Sequence, residues 1–259
     1  MPAYEAEFPA GCTFVFGASG GIGRHVALSF ARAGSAVALG CRQKPEIADE
    51  VAREARTLGV SASVHLADVT DAAAVGAALD AARAAHGRIH TVVWAAGPLV
   101  PQHYLADIPP DAWARALAVE AGGFFAAIQH AIPLMRQDGG GSFVHLGSAG
   151  DVWWPARDGL SVAPKAVNEA LIRGIAKEEG KHNIRANTVL VGVIEAGMFL
   201  ELTKAGVFDE AWVAETQKLL ALKRWGQPEE IGHACVFLAS NRAAYITGQQ
   251  INVSGGFGI

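Results

Sequence analysis

Cysteine is scarce in this 259-residue chain, which has three: Cys12, Cys41 and Cys235. Their number is odd, their spacing wide and their neighbours apolar, which argues against a disulfide framework or a metal set and points to buried, reduced thiols. Neither sign of charge dominates, with 21 Lys and Arg against 25 Asp and Glu. Nothing therefore draws the chain to a phosphate backbone or an acidic lipid surface, and no nucleic-acid or membrane partner is expected. The opening MPAYEAEF is acidic where a secretory signal needs basic residues, and no apolar run approaches the length that spans a bilayer. A soluble, cytoplasmic protein is expected. Tandem repeats, low-complexity tracts and Pro- or Ser-rich linkers are missing too. Tyrosine is the remaining scarcity, with only Tyr4, Tyr104 and Tyr245.

What the chain has in plenty is apolar residues, 51% of the total, enough for a large core in one domain over 1–259. Short, nearly continuous apolar runs (CTFVFGA, AVALG, SVHLA, HTVVWAAG, SFVHLGS, NTVLVG, QQINVSGG) alternate with longer segments of helical spacing. Strands apolar on both faces, separated by helices, predict an α/β fold: a Rossmann-like, doubly wound parallel sheet of about seven strands. Ligands of such a sheet bind at the carboxyl ends of its strands. One segment, 195–226, breaks the alternation before the last strand, and an insertion at that mouth reads as a substrate lid.

The first strand runs into GASGGIGRHVA, with Gly17, Gly21 and Gly23 spaced G-x-x-x-G-x-G. Glycines allow a sharp turn and a close approach by a pyrophosphate, and the following helix offers free N–H groups and the positive end of its dipole. Tight turns also use glycine for steric reasons alone; the position after a first strand is what favours phosphate binding.

Over essentially its whole length the chain resembles the short-chain dehydrogenase/reductase family. The resemblance rests on Gly17-x-x-x-Gly21-Ile22-Gly23, ADVTD with Asp68 and Val69, WAAG with Ala95, Ala96 and Gly97, Ser148, Lys165, and the tail from RWGQPEE to NVSGG. It implies NAD or NADP bound as an extended dinucleotide along Gly17, Ser19, Gly21, Ile22, Gly23, Asp68, Val69, Ala95, Ala96, Gly97, Lys165, Gly192 and Ile194. Asp68 would contact adenine, although a turn-forming role suits it equally. At the end of the second strand, Cys41 stands where an acid would hold the ribose of NAD, and Arg42 follows with Lys44 nearby. NADP is therefore expected ahead of NAD.

In the family a Tyr donates a proton to the carbonyl oxygen, a Lys lowers the Tyr pKa and holds the ribose, a Ser orients the substrate, and an Asn keeps a water relay. Carried onto this chain, the four positions are Ser161, Lys165, Ser148 and Glu120. Two are changed. An aliphatic hydroxyl is a far weaker acid than a phenol, and Ser161 is shorter by an aromatic ring. Of the three tyrosines only Tyr104 could approach the cleft. Trp94 and Ala95 replace the two Asn of N-N-A-G, Val191-Gly192 replaces P-G, and Ala196 stands where a Thr usually follows.

Glu120, in the apolar stretch ALAVEAGGFF, is either half of a structural ion pair, with Lys165 as partner, or a catalytic carboxyl. In the second case it would replace the missing acid or favour a cationic C=N substrate. Ser148 is a turn cap or a substrate contact, and His145 a satisfied core histidine. Three functions stay open: an NADP-dependent oxidoreductase with a non-standard site; a catalytically silent, NADP-binding regulatory subunit; and a non-redox lyase, isomerase or hydrolase-like protein using Glu120, Ser148, Ser161 and Lys165. The first is preferred, with an apolar small molecule as substrate. Apolar helices around ARALAVEAGGFFAAIQHA and VAPKAVNEALIRGIA predict a homodimer or homotetramer.

Overall fold

The computed structural model describes residues 7–259, so Tyr4 lies outside the described residues. Seven parallel strands form one sheet: β1 (Cys12–Phe16), β2 (Ala36–Cys41), β3 (Ala62–Leu66), β4 (Ile89–Trp94), β5 (Gly141–Ser148), β6 (Ile184–Val191) and β7 (Gln250–Val253). Their order is β3-β2-β1-β4-β5-β6-β7. The direction of winding reverses between β1 and β4, which leaves a crevice at their carboxyl ends.

Alternate residues of the central strands face opposite layers. Val15, Val93, Val144 and Val189 pack under α1 (Gly21–Arg32), α2 (Pro45–Thr57) and α9 (Pro228–Ala239). Phe14, Phe16, Val92, Trp94 and Phe143 pack under α3 (Ala72–His86), α5 (Gly123–Gln137) and α6 (Gly159–Glu179). Both faces are covered, which is why the strands read as unbroken apolar runs. Cys12, Cys41 and Cys235 are free and buried, as expected. Trp94 is fully buried against Phe16 and Phe124. Its ring needs a glycine opposite: a Cβ on Gly123 would stand 2.9 Å from it.

Helix α4 (Pro110–Leu117) continues through a π-helical turn, Ala118–Gly122, into α5. By length and composition this run could cross a bilayer, contrary to the expectation that no segment could. Its apolar character has another cause here: Phe124, Ala127, Ile128, Ala131 and Met135 line the core. The remaining face stays exposed.

The segment expected to be a lid folds as α7 (Met198–Lys204) and α8 (Glu210–Lys218). Its aromatics pack largely on one another, Phe208 stacked on Trp212 at 3.8 Å between ring centres and Phe199 tilted against Trp225 at 5.2 Å. At the opposite end of the sheet a small buried polar cluster links Thr13, Ser35 and His90, with the Phe8 ring stacked on His90.

Candidate active site

The turn after β1 has the geometry of an anion cradle. Gly17 takes φ +80°, and a Cβ there would stand 2.6 Å from the Ala95 carbonyl oxygen. Helix α1 begins with no capping side chain and no acid in its first turn, so its leading amides remain free for phosphate oxygens. Across the turn, a Cβ on Gly21 would lie 2.2 Å from the Gly197 nitrogen. The start of the 195–226 segment therefore rests on the cradle. Ser19 and Ile22 are partly exposed beside it.

At the end of β2 the Cys41 side chain points into the core, where burial raises its pKa and Asp49 and Glu46 add to the shift. It offers nothing to a ribose hydroxyl. Arg42 is exposed, with one guanidinium nitrogen 3.7 Å from Asp68 and another on Gln43. Asp68 is held below the ordinary carboxyl range first by the Thr70 amide and hydroxyl, with Arg42 a lesser influence. These bonds give Asp68 the turn-forming role. Val69, Ala95 and Ala96 are partly exposed along the crevice, and Gly97 is open to solvent. Gly192 lies so close to β7 that a Cβ would meet Ser254 at 2.6 Å, and the Ile194 side chain is buried with Ala196. Only the backbone of Ile194 could face a cofactor.

The structure brings Glu120 and Lys165 together. The Lys165 ammonium bonds Glu120 Oε1, and Glu120 is 1% exposed while the Lys165 side chain keeps 20%. Gly97 covers the pair: a Cβ there would stand 2.5 Å from Glu120 Oε1. Glu120 thus takes the ion-pair role, with Oε1 on the ammonium and Oε2 buried without a hydrogen-bond partner among the described residues. Lys165 has three donors, of which Glu120 takes one; the others fit ribose hydroxyls entering over Gly97. Together with the glycine cradle, this is a set of residues that fits a nicotinamide dinucleotide.

Behind the pair runs a buried polar chain. The π-turn breaks the regular helical bonding at Glu120, and the Asn168 amide donates to the Glu120 carbonyl oxygen at 3.2 Å. A carbonyl only accepts, which fixes the amide orientation. The same Nδ2 therefore donates to His145 Nε2 (3.3 Å), and His145 Nδ1–H donates to Glu169 (2.9 Å). His145 is fully buried and satisfied, as expected. Burial alone would raise the Glu169 carboxyl, but bonds from His145 and Gln250 hold it below the ordinary range.

Ser148 accepts from the Gly150 amide at 3.1 Å, capping its turn and leaving its hydroxyl hydrogen to donate elsewhere. Ser161 is buried one turn before Lys165. Tyr104 is exposed with the Arg157 guanidinium over its ring, and Tyr245 is fully exposed, so neither fills the space of a tyrosine at 161. Trp153 packs on Phe257, 5.1 Å between ring centres, and serves mainly as loop packing.

Two site residues escaped the sequence reading. Asn168 is a polar residue on the core face of α6, a signal that was legible. Asp158, at the start of α6, accepts from Gln102 at 3.0 Å, and belongs to no motif.

Residues 17–258 match the sequence profile of the family described as enoyl-(acyl carrier protein) reductase. A 3-oxoacyl-(acyl-carrier-protein) reductase, FabG, of Aggregatibacter actinomycetemcomitans is 31% identical over 243 residues, 93% of this chain and 97% of that one. Among solved structures, a 7α-hydroxysteroid dehydrogenase complexed with NADH and 7-oxo glycochenodeoxycholic acid superposes with a TM-score of 0.89 at 28% identity, over 97% of this chain and 96% of that one. The L-sorbose reductase of Gluconobacter frateurii, complexed with NADPH and L-sorbose, does so at 0.89 and 26%, over 97% and 98%.

Proposed function

The chain belongs to the short-chain dehydrogenase/reductase family and is an oxidoreductase of that type, and from that premise we propose that it works with NADP(H) on a carbonyl or hydroxyl group of a small apolar molecule, through a site that lacks the family's tyrosine. The observation that carries this reading is the Lys165–Glu120 pair beneath Gly97, which presents a fixed ammonium to the crevice opposite the glycine cradle.

When bound, the dinucleotide supplies or accepts hydride. The protein's own residues do the rest. The amides of α1 would hold phosphate, Arg42 would meet the adenosine ribose, where a 2′-phosphate would give it an anionic partner, and Lys165 would donate to the second ribose. Ser148 orients the reacting oxygen with its free hydroxyl hydrogen, and Ser161 completes the wall. Glu120 holds Lys165 in place. Because Glu120 is buried and its charge is already matched by Lys165, it has little left to stabilise a cationic C=N substrate, and a neutral carbonyl is the better fit. Exposed Leu99, Leu105, Trp154 and Leu200 give the surroundings an apolar character. A cytoplasmic homodimer or homotetramer paired through α5 and α6 completes the reading.

Calorimetric titration with NADPH and NADH, followed by stereospecific deuteride transfer to a panel of ketones and imines, tests it. Tighter binding of NADPH and deuteration of ketones are expected. Failure to bind either dinucleotide would overturn the proposal.

A further inference from the structure

Two carboxyl groups share the field of Lys165. Glu120 takes the ammonium directly and is closed off. Asp158 is the other, half-buried, with Oδ1 pinned by Gln102 Nε2 and Oδ2 carrying no bond among the described residues. Its place at the head of α6 is informative. Asp158 is the N-cap residue of α6, three residues ahead of Ser161 and seven ahead of Lys165, and the Ser161 and Val162 amides both bond its carbonyl oxygen. A helical side chain covers the turn N-terminal to its own Cα. A long side chain at 161 would therefore put its tip over the turn that starts at Asp158, and Ser161 leaves that space open beside the residue that caps the helix.

Resting on the reductase reading above, we propose that Asp158 is the proton donor of this enzyme, giving a proton from Oδ2 to the substrate's carbonyl oxygen. As the carbonyl carbon gains hydride from the reduced nicotinamide dinucleotide, the carbonyl π pair becomes the new O–H bond; the substrate is reduced by two electrons and the dinucleotide oxidised by two. Asp158 is left as a carboxylate in the field of Lys165 and regains its proton from water through its exposed side.

The surroundings suit a carboxyl that stays protonated further up the pH scale than usual. Burial raises its pKa, and the Gln102 bond and the Lys165 charge offset this only in part. Because Glu120 already occupies the ammonium, one positive charge serves two acids. The other charged or titratable groups beside Asp158 are His103 and Arg157, whose main chains pair at the loop junction.

The test has two arms. In the protein alone, carbon-13 NMR of labelled aspartate carboxyls should show one resonance titrating above the ordinary aspartate range and missing from D158N. A spectrum in which no aspartate titrates late overturns the proposal. In turnover, D158N keeps the Gln102 bond and should lower the ketone reduction rate roughly 100-fold or more, the usual worth of a general acid, with NADPH affinity unchanged. Wild-type reduction should fall as pH rises through the Asp158 titration, and D158E should recover part of the rate. A D158N rate within about threefold of wild type, against the roughly 100-fold a general acid contributes, overturns the proposal alone; a wild type inert on the whole panel overturns the reductase reading beneath it.

Discussion

The Asn168 amide joins the main-chain carbonyl of Glu120 to the His145 ring, so the π-turn that aims Glu120 at Lys165 is held from behind by a carboxylate–imidazole–amide chain. The chain has few spare bonds. Replacing Asn168 with Leu leaves both the Glu120 carbonyl and His145 Nε2 without a donor in a site closed to water. Unsatisfied buried groups cost about 1–3 kcal/mol each, so Asn168→Leu should be destabilised by at least that much in urea unfolding. Asn168→Asp should also be destabilised, because a carboxylate cannot donate to either acceptor. A Leu variant as stable as wild type would show that the chain is incidental.

Glu120 and Lys165 should behave as a positioning pair rather than as two catalysts. Glu120→Gln keeps an acceptor for the ammonium, whereas Glu120→Leu strands it. Removing one partner of a buried pair costs up to about 3–5 kcal/mol, and the partial exposure of Lys165 places this case below that range. The expected order in both stability and NADPH affinity is wild type, then Gln, then Leu. Equal affinities for all three, measured by calorimetry, would remove Glu120 from the site.

Arg42 should decide between the two dinucleotides. Cys41 is turned into the core, so the end of β2 holds no acceptor for a ribose hydroxyl. Hydrogen bonds to charged groups contribute about 1.5–3 kcal/mol, and Arg42→Ala should lower NADPH affinity about 10- to 100-fold while leaving NADH affinity nearly unchanged. A variant that still prefers NADPH would contradict the role.

The glycine turn, the seven strands and the Lys165 helix were legible because each follows from local chemistry: a strand buried on two faces must be apolar, and a phosphate turn must lack Cβ atoms. The Glu120–Lys165 pair was one of two alternatives, and what decides between them is burial, a property of the folded chain. Asp158 was out of reach for a different reason. An Asp-Gly ahead of a helix looks like ordinary turn chemistry, and its value depends on Gln102 arriving from the loop after β4. Trp94 reads as a departure from the family's pattern until Gly123, 29 residues on, appears opposite its ring.

Assembly should run through the outer faces of α5 and α6. Phe125 is 48% and Val167 43% exposed on those helices, beside small residues that allow close approach. Phe125→Glu should convert a dimer or tetramer to smaller species in sedimentation at micromolar concentration. A wild-type monomer under the same conditions would refute the assembly.

Acid should weaken the fold through His90, far from the active site. Burial, with a smaller push from Arg88, lowers its pKa from 6.5 to about 4. The unfolded chain takes up a proton there as pH falls through 6.5, whereas the folded chain does so only near 4. The contribution of this group to stability is thus complete above the unfolded value and is lost progressively as pH falls toward the folded one. At 1.36 kcal/mol per unit the full loss is on the order of 3 kcal/mol. His90→Gln cannot titrate, so between about pH 7 and pH 4.5, a window spanning most of that loss, its urea midpoint should fall less than that of wild type. Equal falls in the two proteins would mean that His90 is not the group responsible.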